Sequence, residues 1–157
     1  MSEIEQEVPL HGGNVTGAVR VGQTVRRAIG PWSASVHALL LHLEHCKFNG
    51  SPRFLGLDEQ GREILTFIEG EIGHYPLQPY MWSDASLVAV AQLLRRYHDA
   101  TSSFIPPENA IWHFAYPDHQ QHEVICHGDV APYNLIYRAG RPYVLIDFDT
   151  AGPGPRL

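Results

Sequence analysis

Apolar and polar positions alternate in short runs through the first third of the chain, the period of half-buried strands. Residues 17–21 (Gly-Ala-Val-Arg-Val) and 24–28 (Thr-Val-Arg-Arg-Ala) read as two strands, and Val21-Gly22-Gln23-Thr24 suits the tight turn of an antiparallel pair. Gly30-Pro31 ends that pattern. Val36, Leu39, Leu40 and Leu43 then recur at helical spacing, which predicts a helix capped by Ser33 or Ser35 and broken at Asn49-Gly50-Ser51-Pro52. Strand patterning returns at residues 53–57 and 63–68, around a turn at 58–61. The expectation is a small, mostly antiparallel sheet with one inserted helix.

Residues 69–80 are rich in Gly and Pro and read as a connector with no element of its own. Ser83 then caps a second helix whose apolar stripe is Leu87, Val90, Ala91, Leu94 and Tyr97. The segment 101–117 is irregular around Pro106-Pro107. Short apolar runs follow at 124–126, 134–137 and 142–146, and Ala151-Gly152-Pro153-Gly154-Pro155 has loop composition.

Composition narrows the class. The 157 residues are 44% hydrophobic and 18% charged, which is globular and enough for one domain or two small lobes around a cleft. A net charge of −6 argues against a general nucleic-acid binder and suits a cationic substrate better. The acidic start lacks the basic and apolar regions of a signal peptide, and no apolar run is long enough to span a bilayer, so a cytoplasmic setting without membrane contact is the default. Cys46 and Cys126 have no pairing or metal spacing. His37, His42 and His45 read as surface positions of the first helix, and His113, His119 and His122 lack the close, regular spacing of a zinc site. Trp82 and Trp112 could line an acceptor pocket, but large aromatics more often sit in the core.

The candidate chemistry lies in His127-Gly128-Asp129-Val130-Ala131-Pro132-Tyr133-Asn134 and, after a strand–turn–strand segment, Ile146-Asp147-Phe148-Asp149. Phosphoryl transfer needs an oriented acceptor hydroxyl with a proton acceptor beside it, and a cation held by hard oxygen ligands against nucleotide phosphates. The D-x4-N spacing matches the catalytic loop of protein kinases. A hairpin over 135–146 would bring Asn134 and Asp147 together on one cation.

These two stretches, HGDVAPYN and VLIDFDTAGPGP, resemble the aminoglycoside phosphotransferase family, a branch of the kinase-like fold. The resemblance implies an α+β, protein-kinase-like two-lobed fold: an N-lobe at 8–68, a connector at 69–80, and at 81–157 a mainly helical C-lobe carrying the catalytic hairpin. It implies ATP or GTP as phosphoryl donor, Mg²⁺, and a small hydroxyl-bearing acceptor. Asp129 would be the base, His127 a scaffold for its loop, and Asn134 and Asp147 the metal ligands, with Asp149 in support. Gly12-Gly13-Asn14 resembles the phosphate-covering turn, and Thr66, Phe67 and Ile68 the hinge that meets the nucleotide base.

Two departures from the family pattern stand beside the match. Where the family has a phosphate-gripping lysine this strand has Arg26-Arg27, and His37 stands about where the partner glutamate is expected. Family members also continue into further helices after the GPGP-type loop. The expectation is therefore an incomplete C-lobe, a truncated phosphotransferase, or a lobe completed by a protein partner. A kinase-like protein without activity, serving nucleotide binding or interaction, is the alternative reading.

Overall fold

Five short antiparallel strands, in the order β1-β2-β3-β5-β4, build the sheet that the alternating runs announce. They are β1 (Val8–Pro9), β2 (Val19–Val21), β3 (Thr24–Arg27), β4 (Phe54–Leu57) and β5 (Glu63–Thr66). The computed structural model describes residues 6–10 and 17–156. The expected phosphate-covering turn, Gly12-Gly13-Asn14, lies outside the described residues. β5 ends at Thr66, two residues before the run suggests, and the two-residue edge strand β1 is too short to leave a periodic signal.

The first helix, α1 (Ser33–His45), buries the expected stripe of Val36, Leu39, Leu40 and Leu43. Neither serine caps it. Trp32 holds the N-cap position without a side-chain bond, Ser33 Oγ accepts from the Gly30 N–H at 2.9 Å, and Ser35 Oγ accepts from the Ile111 N–H at 2.9 Å. Both buried serines spend their hydroxyls on backbone donors outside the helix, a demand that local sequence does not reveal.

The connector and the Gly-Pro tail both enter sheets. β6 (Glu71–Ile72) pairs with β8 (Leu135–Arg138), which pairs with β9 (Arg141–Leu145) in a hairpin. β7 (Val124–Cys126) pairs antiparallel with β10 (Gly152–Gly154). A strand of sequence Gly-Pro-Gly carries no alternation, so only a partner could reveal it.

The second helix, α2 (Asp84–Thr101), is capped by Ser83, whose hydroxyl accepts from the Ser86 N–H at 3.1 Å. Its buried face is Ser86, Leu93, Tyr97 and Thr101, whereas Leu87 is 71% exposed. The expected stripe thus holds at Tyr97, with Val90 and Leu94 packed partly buried against the core, and fails at exposed Leu87 and Ala91. Leu87, Val88, Ala89, Val90 and Ala91 are all apolar and leave the inward face undetermined. Trp82 is also a correction: it is 68% exposed, while Trp112 packs partly buried against the core.

One apolar cluster joins the layers. Leu39 and Leu43 of α1 and Leu93 and Tyr97 of α2 share it with Leu135 and Leu145 of the hairpin. The Tyr97 hydroxyl is buried with no hydrogen-bond partner among the described residues. An orphaned buried hydroxyl destabilises, so Tyr97→Phe is expected to stabilise the fold by about 1 kcal/mol. Thermal melting checks this, and a lower Tm in the variant would reveal a partner for that hydroxyl. Among the described residues, no helix is long and apolar enough to cross a membrane.

Candidate active site

The loop after β7 is held from both sides. His127 is buried, and its Nε2–H donates to the Ile146 carbonyl at 3.0 Å, tying the loop to the end of β9. Burial lowers the imidazole pKa, which keeps the ring neutral and in a scaffold position. Gly128 has φ +87°, and a Cβ there would lie 2.3 Å from the Thr150 carbonyl oxygen, so only glycine fits. On the other side the Gly73 N–H donates to the Pro132 carbonyl at 3.1 Å, and a Cβ on Gly73 would meet that oxygen at 2.4 Å.

Asp129 is bonded from within its own loop. Asn134 Nδ2 donates to the Asp129 carbonyl and to its Oδ2, both at 2.9 Å. The Tyr133 hydroxyl lies 3.1 and 3.3 Å from the two carboxylate oxygens and donates to them. That bond raises the Tyr133 pKa, so the phenol keeps its proton. A short 3-10 turn, Pro132–Asn134, places the two side chains.

The hairpin then returns the chain to the same place. Leu135 pairs with Leu145, and the Ile146 N–H donates to the Asn134 carbonyl at 2.9 Å, which sets Asp147 beside Asn134. Asp147 sits at φ 61°, in the left-handed region that Asp and Asn tolerate better than other side chains. Such a conformation persists where the surroundings over-determine it, commonly at ligand sites.

Arg27 binds the sheet to this loop. It is 6% exposed; its Nε donates to Glu63 Oε1, one terminal nitrogen lies 3.1 Å from Asp147 Oδ1, and the other lies 2.6 Å from Asp149 Oδ1. Burial pulls the guanidinium pKa down, but Glu63, Asp149 and Asp147 outweigh it and the net shift is upward. Glu63 is 1% exposed and also bonds His37 Nε2 at 2.7 Å. Burial opposes its ionisation, yet the His37 bond and Arg27 hold its pKa below the ordinary value. Asp149 is pushed upward by burial, against Arg27.

The carboxylate paired with Arg27 thus comes from β5 and not from α1. His37, on α1, reaches the arginine only through Glu63. Neither sequence motif names Glu63. Its signal is register: Arg27 lies directly across from Glu63 in the β3–β5 ladder, and Glu63 is in phase with buried Leu65.

Arg27, Phe67, Ile68, Tyr133, Asn134 and Asp147 line one cavity, whose far end is apolar through Val25, Leu65 and Ile136. Arg26 is not brought there. It points to the opposite face, toward Thr24 and Asp58, as strand alternation requires of adjacent residues. Among the described residues no three His, Cys, Asp or Glu side chains cluster as a metal site. The donors here are of another kind. The Asn134 amide nitrogen is engaged by Asp129, which leaves its oxygen for a cation, and Asp147 is a carboxylate on the same cavity. Two hard oxygen donors suit Mg²⁺, which normally completes its shell with phosphate oxygens and water.

A small antiparallel sheet with an inserted helix, a hinge-like segment after β5, and a catalytic-type loop followed by a metal-type Asp define the kinase-like fold. The solved structures agree. The chain matches the gentamicin complex of APH(2'')-IIa with a TM-score of 0.68 and 17% identity, covering 97% of this chain and 67% of that one. It matches ADP-bound APH(2'')-Ib with a TM-score of 0.70 and 18% identity, covering 98% and 69%. Other chains of this fold hold ATP with streptomycin and GDP with kanamycin.

Residues 78–157 match the phosphotransferase enzyme family, and the chain belongs to that family. It is also 44% identical over 154 residues to the trifolitoxin immunity protein of Rhizobium leguminosarum bv. trifolii. That match covers 96% of this chain and 58% of the immunity protein's length.

Proposed function

We propose that the chain moves the γ-phosphoryl group of ATP or GTP to a hydroxyl of a small molecule. The observation that carries this is convergence. Asn134 and Asp147, named by motif alone, line one largely apolar cavity with Arg27, and Asp129 adjoins it through its bond from Asn134 Nδ2 at 2.9 Å. The nucleotide base would enter between Val25, Leu65 and Ile136 and meet the hinge at Phe67 and Ile68. The N–H groups of Thr66 and Phe67 already donate to Arg53 and Gln23, so base recognition falls to hinge carbonyls and to Ile68.

Arg27 would turn from Asp147 and Asp149 toward the phosphates, keeping Glu63 as its anchor. Asn134 and Asp147 would hold Mg²⁺, which neutralises charge on the β- and γ-phosphates. Asp129 would orient the acceptor hydroxyl and take its proton, while His127 keeps the loop in place. The acceptor class draws support from the relatives. One is named an immunity protein, and solved structures of this fold hold gentamicin, streptomycin or kanamycin. A hydroxyl-bearing toxin or antibiotic disabled by phosphorylation fits both facts.

The test is Mg²⁺-dependent release of ADP or GDP by the purified chain, with and without candidate acceptors. Asp129→Ala is expected to lower turnover by about 10²-fold or more, the usual contribution of a positioned proton acceptor. Equal turnover in the variant would remove Asp129 from the chemistry. A second reading, nucleotide binding without turnover, is favoured by one specific observation. The guanidinium that would grip phosphate is already engaged by three carboxylates. Thermal stabilisation by nucleotide with no product release would select that reading.

A further inference from the structure

Tyr133 stands where an acceptor hydroxyl would stand. Its phenolic oxygen is within hydrogen-bond distance of both carboxylate oxygens of Asp129, at 3.1 and 3.3 Å. The same residue lines the cavity that carries Arg27, Asn134 and Asp147. A hydroxyl bonded to a carboxylate, beside cation-type and phosphate-type ligands, is the nucleophile–base pairing that phosphoryl transfer uses.

A purely structural pin is the simpler account of this bond, and the loop does not need one. Asn134 already fixes the Asp129 carbonyl and carboxylate, and Gly73 fixes Pro132. Tyr133 therefore adds a hydroxyl donor to a carboxylate that the loop already holds, from a residue that also lines the cavity.

Resting on the phosphotransferase reading above, we propose that Tyr133 is an internal phosphoryl acceptor, a modification site served by this chain's own Asp129. The phenolic oxygen forms a bond to the γ-phosphorus of a nucleoside triphosphate. The bond from that phosphorus to the β–γ bridging oxygen breaks, and the nucleoside diphosphate leaves with the electron pair. The phenol proton passes to Asp129. The product places a phosphate dianion next to Asp129 and Asp147, where like charge opposes entry of a second triphosphate. Arg27 is the cation lining that cavity that would pair with it. Modification at this residue would thus shut off transfer to the small-molecule acceptor.

The experiment uses the full chain, treated with phosphatase and then incubated with Mg²⁺ and ATP, or Mg²⁺ and GTP. Intact mass and peptide mapping read the modification, and thermal shift reads nucleotide binding on the same sample. The expected result is a gain of one phosphoryl group on the peptide carrying Tyr133, absent in Tyr133→Phe and in Asp129→Asn. Phosphate mapped to another residue of the wild-type chain, or retained in Tyr133→Phe, overturns the proposal. A chain that binds Mg²⁺-nucleotide, with or without product release, yet gains no mass also overturns it. Where product is released, the phosphotransferase reading stands and Tyr133 is a cap; where none is released, the chain binds nucleotide without turnover. A chain with no Mg²⁺-dependent nucleotide binding sinks both.

Discussion

Replacing Glu63 with alanine is expected to lower stability by about 3 kcal/mol, the low end of the cost of breaking a buried ion pair. Glu63 is 1% exposed and holds two partners at once, the Arg27 Nε and His37 Nε2. Its removal leaves a buried guanidinium with one anchor fewer and an imidazole with none. The loss stops short of the upper range because Asp147 and Asp149 still face Arg27. For a chain of this size the change corresponds to a Tm lower by about 10 °C.

The pH dependence gives a second signature. The folded pKa of Glu63 is lowered, so its contribution is fully present above the ordinary glutamate value and disappears as pH falls through the lowered one. The Tm gap between wild type and Glu63→Ala should therefore narrow on acidification. Glu63→Gln keeps the shape and one hydrogen bond and should lose less. A Glu63→Ala protein that melts with wild type at neutral pH would show that the Arg27 cluster contributes nothing to stability.

The candidate loop is legible in the sequence because its geometry is local. From Asp129 to Asn134 the chain makes one tight turn, and from Leu135 to Leu145 one hairpin, so short-range patterning brings the three polar side chains together. Arg27 was half legible: alternation says that only one of two adjacent arginines can face the cleft, but not which one. Glu63 was not legible as a site residue, because its role depends on strand register and on α1 delivering a histidine instead of a carboxylate. The exposure of Leu87 on α2 and the Gly-Pro-Gly strand β10 escape the sequence for a related reason. Their sequences are compatible with several environments, and only a distant partner selects one. Tyr133 lay inside the recognised motif. Kinase-type spacing assigns roles to Asp129 and Asn134 and none to the four residues between them, so the motif leaves Tyr133 without a role.

Asp147→Asn is expected to abolish the Mg²⁺-dependent part of nucleotide affinity while leaving Mg²⁺-free binding intact or tighter. Asparagine tolerates the left-handed backbone at this position, so the variant removes charge with little change of shape. Two effects then act in opposite directions. Without its carboxylate the pair Asn134–Asp147 loses the only charged ligand it offers a cation, so the gain in affinity on adding Mg²⁺ should fall at least tenfold, or about 1.4 kcal/mol. Without that same charge the contact to Arg27 at 3.1 Å is no longer an ion pair, and a nearby negative charge no longer repels the phosphates. Mg²⁺-free nucleotide should then bind as well as before or better. Titration of the wild-type and variant chains with ADP, with and without Mg²⁺, separates the two. Unchanged Mg²⁺-nucleotide affinity in Asp147→Asn would mean that the cation is held elsewhere. Weaker binding in both conditions would mean that Asp147 serves chiefly to orient Arg27. Only the crossed pattern identifies one carboxylate as both metal ligand and restraint on the arginine.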